Sequence, residues 1–198
     1  MARPFTLAEV PEGSPRTGHA FGRWVGRTVL RLGGWRVTGA FPPMAKAVVI
    51  AAPHSSGWDA YWGIAAKLAM GIDIRFMAKA ELFVGPLGWL LRTFGGIPTH
   101  RQAPGGLIGE MQAEFRRRDR LWLVIAPEGT RRKVTQWKTG FWRIAHDAGV
   151  PVVCAYFHYP DKVIGIGEVF TLTDDMAADM ARIRAWYRPW MGKHRDTL

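Results

Sequence analysis

Short, wholly apolar runs alternate along this chain with longer stretches in which apolar residues recur every three or four positions. Two of the runs are the clearest, AVVIAA at 47–52 and LWLVIA at 121–126. Each is apolar at successive positions and too short for a buried helix, which is how a strand covered on both faces reads. Residues 59–70 read as a helix, 73–78 as a strand and 86–93 as a short helix. A longer helix follows at 104–118 and ends in Arg116, Arg117 and Arg118. A helix near 138–148, strands near 151–157 and 162–170, and a closing helix at 174–187 complete the series. This alternation predicts an α/β fold with a mostly parallel central sheet flanked by helices.

The N-terminal part follows another pattern. On a helical projection of 20–32, Phe21, Trp24, Val25, Thr28, Val29 and Leu32 share one face, while Arg23, Arg27 and Arg31 fall on the other. That is the pattern of a helix lying in a lipid interface, although Gly22 and Gly26 weaken it. An ordinary surface helix packed on its own domain fits the same pattern, and both readings stand. Residues 1–17, rich in Pro and charge, predict a loosely ordered segment. Residues 18–198 then form a single domain, since 198 residues suit one core and would crowd two.

Composition narrows the partners. With 48% hydrophobic and 22% charged residues the chain is globular, and a formal net charge of +11 directs it to polyanions. Nucleic acid, anionic headgroups and phosphorylated substrates all qualify. Ten Trp and ten Phe favour lipid, because amphipathic rings settle at a headgroup boundary. No helix-turn-helix, zinc-finger or RNA-recognition pattern supports a nucleic-acid partner. The single Cys154 excludes an intramolecular disulfide framework and, in its apolar run, reads as a small buried residue. No apolar stretch reaches the roughly 20 residues of a spanning helix. The N-terminus lacks a secretory pattern, so the expected location is the cytoplasmic face of the cell membrane, as a peripheral protein.

The chemistry clusters where strands end. His54 and Asp59 follow the AVVIAA run, separated by Ser55, Ser56, Gly57 and Trp58. On one continuous helix they would point apart, but Gly57 permits a turn that returns the carboxylate to the imidazole. A carboxylate on one ring nitrogen leaves the other to take a proton from a hydroxyl. Pro127, Glu128, Gly129, Thr130 and Arg131 follow the LWLVIA run in the same way. Glu can bond a substrate hydroxyl and Arg can fork onto phosphate. Gly95 to Arg101 supplies glycines beside a second cation, and Lys79 and Lys138 are further basic candidates. In open α/β sheets ligands bind outside the carboxyl ends of strands, so these blocks predict one pocket.

Taken in order, the blocks resemble the glycerolipid acyltransferase family, which includes the 1-acylglycerol-3-phosphate acyltransferases. His54 to Asp59 looks like that family's catalytic His-x4-Asp motif, and Gly95 to Arg101 is similar to its second block. Pro127 to Arg131 looks like its third, and Val150-Pro151-Val152-Val153 resembles its fourth. Ala126 stands where the family has an aromatic, and Cys154 where it often has proline, which marks a compact, divergent member. The resemblance implies a glycerol-3-phosphate acyltransferase-like fold and acyl transfer to the hydroxyl of a lysophospholipid. His54 is then the general base, oriented by Asp59. Arg101, Glu128, Gly129, Thr130 and Arg131 bind substrate. Acyl-CoA or acyl-carrier protein is the donor and co-substrate, with no cofactor, no metal and no nucleic acid required. The alternative is a non-catalytic basic module bound to an anionic membrane surface.

Overall fold

The computed structural model describes residues 5–100 and 106–194. In chain order the elements are α1 (Ala20–Gly33), β1 (Arg36–Gly39), β2 (Lys46–Ala52), α2 (Trp58–Met70) and β3 (Ile74–Lys79). Next come α3 (Gly85–Thr93), β4 (Gly96–Thr99), α4 (Gly106–Arg117), β5 (Leu121–Ile125) and α5 (Gly140–Asp147). The chain closes with β6 (Val152–His158), β7 (Val163–Phe170) and α6 (Met176–Tyr187). The strands form one seven-stranded sheet in the order β1-β7-β6-β2-β5-β3-β4. Every neighbouring pair is parallel except β6 with β7.

Strand order decides which face each helix covers. The connections β2–α2–β3 and β3–α3–β4 step toward the β4 edge, whereas β4–α4–β5 and β5–α5–β6 step back. Parallel crossovers are right-handed, so α2 and α3 lie on one face and α4 and α5 on the other. The core follows this division. Val48, Ile50 and Ala52 of β2 pack with Met111, Phe115 and Phe141. Ala47 and Val49, pointing the opposite way, pack with Phe41 and Ile72. The winding direction reverses between β2 and β5, and the crevice at such a reversal is where open sheets take their ligands.

The helix over 20–32 forms, and what it turns toward the domain is a seam of Gly26 and Leu30 rather than the Phe21, Trp24 and Leu32 side. α1 lies antiparallel on α2 through its glycines. A Cβ on Gly26 would stand 2.4 Å from the Ala69 nitrogen and 2.5 Å from the Ala65 oxygen, and one on Gly33 would stand 2.3 Å from the Trp62 ring. Close helix approach requires missing side chains, so residues that weaken a lone helix make this contact possible. Phe21, Trp24 and Leu32 consequently point outward, 76%, 63% and 85% exposed.

Two edge strands, β1 and β4, go beyond the sequence expectation. Each has four residues (RVTG and GIPT), too few to show a period, and Pro98 is tolerated because β4 pairs on one side alone. Residues 5–17 also differ from the loose order expected of the N-terminal segment. Val10 and Ser14 are buried, Ser14 Oγ donates to the Pro42 carbonyl at 2.8 Å, and the Val37 amide donates to the Thr6 carbonyl at 3.0 Å. Fixing these residues against the sheet covers the Phe41 side of the core.

Candidate active site

β2 runs into Pro53 and the loop 54–57, and Ser56 and Gly57 turn the chain into α2. Gly57 is the N-cap, and the amide of Trp58, the first helical residue, donates to Ser56 Oγ at 3.2 Å. Asp59 stands in the first helical turn, where the helix dipole favours an acid. Its Oδ2 accepts the Ser55 amide at 2.8 Å and the Ser56 amide at 2.9 Å, and lies 3.1 Å from His54 Nδ1. The carboxylate therefore folds back onto the loop preceding its own helix, as Gly57 allows. Burial alone would raise the Asp59 pKa, but hydrogen bonds from His54, Tyr159 and the Ser56 amide outweigh it and hold the group below the usual carboxylate range. Asp59 is thus an anion in a buried position, beside an imidazole with 24% of its side chain exposed.

The loop after β5 meets this one from the other side of the crevice. Glu128 is buried, and its Oε2 accepts the His54 backbone N–H at 2.8 Å. Gly129 has φ +64°, and a Cβ there would stand 2.7 Å from the Lys138 side chain, so Lys138 lies directly across it. The Lys138 amide in turn donates to the Pro127 carbonyl at 2.8 Å. Arg131 reaches back over the first loop, its Nη1 3.7 Å from where a Cβ on Gly57 would be.

A cavity of about 620 Å3 adjoins the pair. His54, Asp59, Gly129 and Lys138 line it at one end. Ala60, Gly63, Ile64, Ala66, Lys67 and Met70 carry its wall along α2, and Val49, Ala51, Phe76 and Val124 supply the sheet side. Since α2 rises about 1.5 Å per residue, Asp59 and Met70 mark a length of roughly 16 Å. The walls are apolar apart from a few polar groups, as in a small-molecule site. Lys67 is a largely buried cation in this wall, with Nζ donating to the Ile74 carbonyl at 2.7 Å and the Phe94 carbonyl at 2.6 Å.

The candidates are therefore partly assembled. His54, Asp59, Gly129 and Lys138 line the cavity. Glu128 sits beneath the loop with Oε2 bonded to its backbone, and is not among the cavity residues. Thr130 is turned to its own loop, where Oγ1 accepts the Arg132 amide at 3.3 Å. Lys79, exposed at the end of β3, is not among the cavity residues. Arg101 lies outside the described residues. Tyr159 went unseen in the sequence, yet its hydroxyl donates to Asp59 Oδ1 at 2.6 Å. It follows β6, which adjoins β2, so the strand-end rule would find it once the strand order is known. Among the described residues no group of three or more His, Cys, Asp or Glu side chains is placed to hold a metal ion.

Comparison with known proteins gives a consistent answer. Residues 35–158 match a family model described as Acyltransferase. Over 96 residues the chain is 30% identical to a 1-acyl-sn-glycerol-3-phosphate acyltransferase of Streptococcus pneumoniae (strain ATCC BAA-255 / R6), which takes in 48% of this chain and 35% of that protein. The match thus spans about a third of that relative's length. The fold is similar to that of a 1-acyl-sn-glycerophosphate (LPA) acyltransferase, PlsC, from Thermotoga maritima. The TM-score is 0.60 over 82% of this chain and 75% of that one, at 20% sequence identity.

Proposed function

The chain belongs to the acyltransferase family, and from that premise we propose that it moves a fatty acyl group from a thioester onto the hydroxyl of a lysophospholipid such as 1-acylglycerol-3-phosphate. The observation that carries the proposal is the His54–Asp59 pair, joined at 3.1 Å where an apolar cavity begins. A buried carboxylate on Nδ1 fixes the tautomer and leaves Nε2 as the base. Nε2 takes the acceptor's hydroxyl proton as that oxygen attacks the thioester carbonyl carbon. The tetrahedral intermediate collapses, the C–S bond breaks, and the thiolate leaves with the proton held by the imidazolium. General-base assistance of this kind contributes roughly 10²–10⁴-fold, and positioning adds more.

The cavity suits the acyl chain. It is long, apolar and begins beside the base, so a chain lying along α2 would bring its carbonyl to His54. Acyl-CoA or acyl-carrier protein would be the donor. Lys138 lines the polar end and Arg131 reaches over Gly57, and with Arg101 they would hold the acceptor's phosphate.

A peripheral position on the cytoplasmic face of an anionic membrane belongs to the same proposal. Phe21, Trp24 and Leu32 on α1, with Trp58 and Tyr61 on α2, are exposed on one layer of the molecule. Val84, which caps α3, and Leu87, Trp89 and Leu90 within it extend that layer, beside many cations on a chain of net charge +11. Among the described residues no helix is long and apolar enough to cross a membrane. A non-catalytic membrane module would account for this layer but not for a buried anionic Asp59 trained on a histidine at a cavity. The deciding experiment is His54→Ala, assayed by mass spectrometry of lipid products with lysophosphatidate and an acyl thioester. Product should vanish while the melting temperature holds, and near-normal turnover would overturn the assignment.

A further inference from the structure

Asp59 is gripped on both oxygens, and only one grip comes from its own loop. Oδ2 carries the Ser55 and Ser56 amides and His54 Nδ1, while Oδ1 accepts the phenol of Tyr159 at 2.6 Å. Tyr159 is 100 positions away in sequence and one residue beyond the segment the family model matches. We infer that Tyr159 is a positioning residue of the reaction, setting the direction and basicity of Asp59 and, through it, those of His54. The inference rests on the acyl-transfer reading above.

The phenol is itself held firmly. Its ring meets Trp35 edge-on, with centroids 4.9 Å apart at 89°. The Tyr159 amide donates to the Met191 carbonyl at 2.9 Å, and the Met191 amide donates to His158 Nδ1 at 3.1 Å. The segment after α6 therefore clasps the end of β6 at His158 and Tyr159. Farther along the same segment, the His194 amide donates to Ser55 Oγ at 3.3 Å, so it also touches the loop that carries the base. Burial, then the hydrogen bond and charge of Asp59, raise the Tyr159 pKa well above its ordinary value, and the residue stays a proton donor at any working pH.

The effect of that donor has a sign. Asp59 is 1% exposed, and taking the phenol away leaves a buried carboxylate oxygen without this bond. Its negative charge is then less dispersed, it attracts the imidazolium more strongly, and it is freer to rotate. With the phenol in place the histidine is easier to deprotonate and points one way. Other charged or titratable groups surround the pair. Glu128 lies under His54, Lys138 on the cavity wall, and Arg131 over Gly57. His158, Lys193 and His194 lie on or beside the clasp, with Lys193 over the Trp58 ring. All are unchanged when the phenol alone is removed, so the difference isolates it.

The test is Tyr159→Phe in the full chain. We expect kcat to fall by roughly tenfold, because the lost orientation of Asp59 and His54 outweighs the gain in basicity, with KM for both substrates little changed. The acid limb of the kcat/KM profile should move to higher pH, and the titration midpoint of the His54 ring, followed by NMR, should move the same way. In an Asp59→Asn background the substitution should add nothing. A variant that loses activity or thermal stability while the midpoint and the acid limb stay put would overturn the inference and leave Tyr159 a packing residue. If Tyr159→Phe does not fold, 3-fluorotyrosine placed at 159 keeps the ring and hydroxyl but makes a stronger donor. The midpoint must then move down, and a midpoint that does not move is equally fatal. The NMR readout needs no turnover. A chain that shows the shift but makes no product from thioester and lysophosphatidate would sink the acyl-transfer reading while the coupling stands.

Discussion

The backbone N–H of His54 donates to Glu128 Oε2 at 2.8 Å, so the loop after β2 is pinned to the loop after β5 by a buried carboxylate. These strands are neighbours, in register from Lys46 opposite Leu121 to Ile50 opposite Ile125. The chain winds one way from β2 and the other way from β5, which opens the crevice between their ends. Glu128 closes the base of that crevice and sets where the imidazole stands. Replacing it separates the roles of shape and charge. Glu128→Gln keeps an oxygen for the amide and should retain most of the stability and measurable turnover. Glu128→Ala leaves a buried N–H without that acceptor, a cost of about 1–3 kcal/mol, and should lower both the melting temperature and kcat. Thermal denaturation with steady-state kinetics checks this. Equal damage from both variants would mean that Glu128 acts by charge, as a substrate contact does.

The two outward and inward faces of α1 make opposite predictions. Gly26→Leu forces a side chain into the backbone of α2, where even a Cβ stands 2.4 Å from Ala69 N. It should destabilise the protein by about 1–3 kcal/mol or undock the helix. Phe21→Ser combined with Trp24→Ser removes two exposed rings, stacked with centroids 5.9 Å apart, and should leave the melting temperature unchanged. Vesicle flotation with anionic lipid should then show weakened binding for the serine pair. Full binding by that variant would remove α1 from the membrane-facing layer.

How far the sequence reached depended on how local each signal was. The strands at 47–52 and 121–126 announce themselves, because burial on both faces leaves unbroken apolar runs. β1 and β4 stayed hidden because four-residue edge strands have no period and take their identity from a neighbour. The His54–Asp59 pair was legible because its turn is encoded within six residues. Tyr159 was not, since its relation to Asp59 exists only through the pairing of β2 with β6. The role of Gly26 is hidden for a similar reason. Helix propensity counts the residue alone, and the contact with α2 is a property of two helices.

If the cavity beneath α2 holds the acyl chain, narrowing it midway should shorten the preferred donor. Ala66 lines the cavity, is 2% exposed, and stands about 10 Å along the helix from Asp59 at the usual rise per residue. Ala66→Phe would place a ring across the path. With short thioesters turnover should persist, while with long ones it should fall at least about tenfold, the worth of losing ~1.4 kcal/mol of binding in the transition state. Competition between donors of different length, read by product mass, is the measurement. An unchanged ratio would place the chain elsewhere.

Lys67 predicts a pH dependence of stability with a definite sign. Its side chain is 11% exposed, spans from α2 to the Ile74 and Phe94 carbonyls, and lies 3.9 Å from Asp73. Burial lowers its pKa from 10.5 to about 8; Asp73 opposes the shift and Arg75 adds to it. Between those values the unfolded chain still holds a proton that the folded chain has released. Stability therefore rises with pH across the window, and the penalty of the buried charge is felt in full below it. Urea midpoints taken from about pH 7.5 to about pH 10 should climb for the parent relative to Lys67→Met, which has no such proton to release. The variant also loses both carbonyl contacts, so its absolute stability is a poor guide, but the slope is not. Parallel curves for the two proteins would mean that Lys67 keeps its charge throughout, with the two carbonyls and Asp73 compensating its burial in the cavity wall.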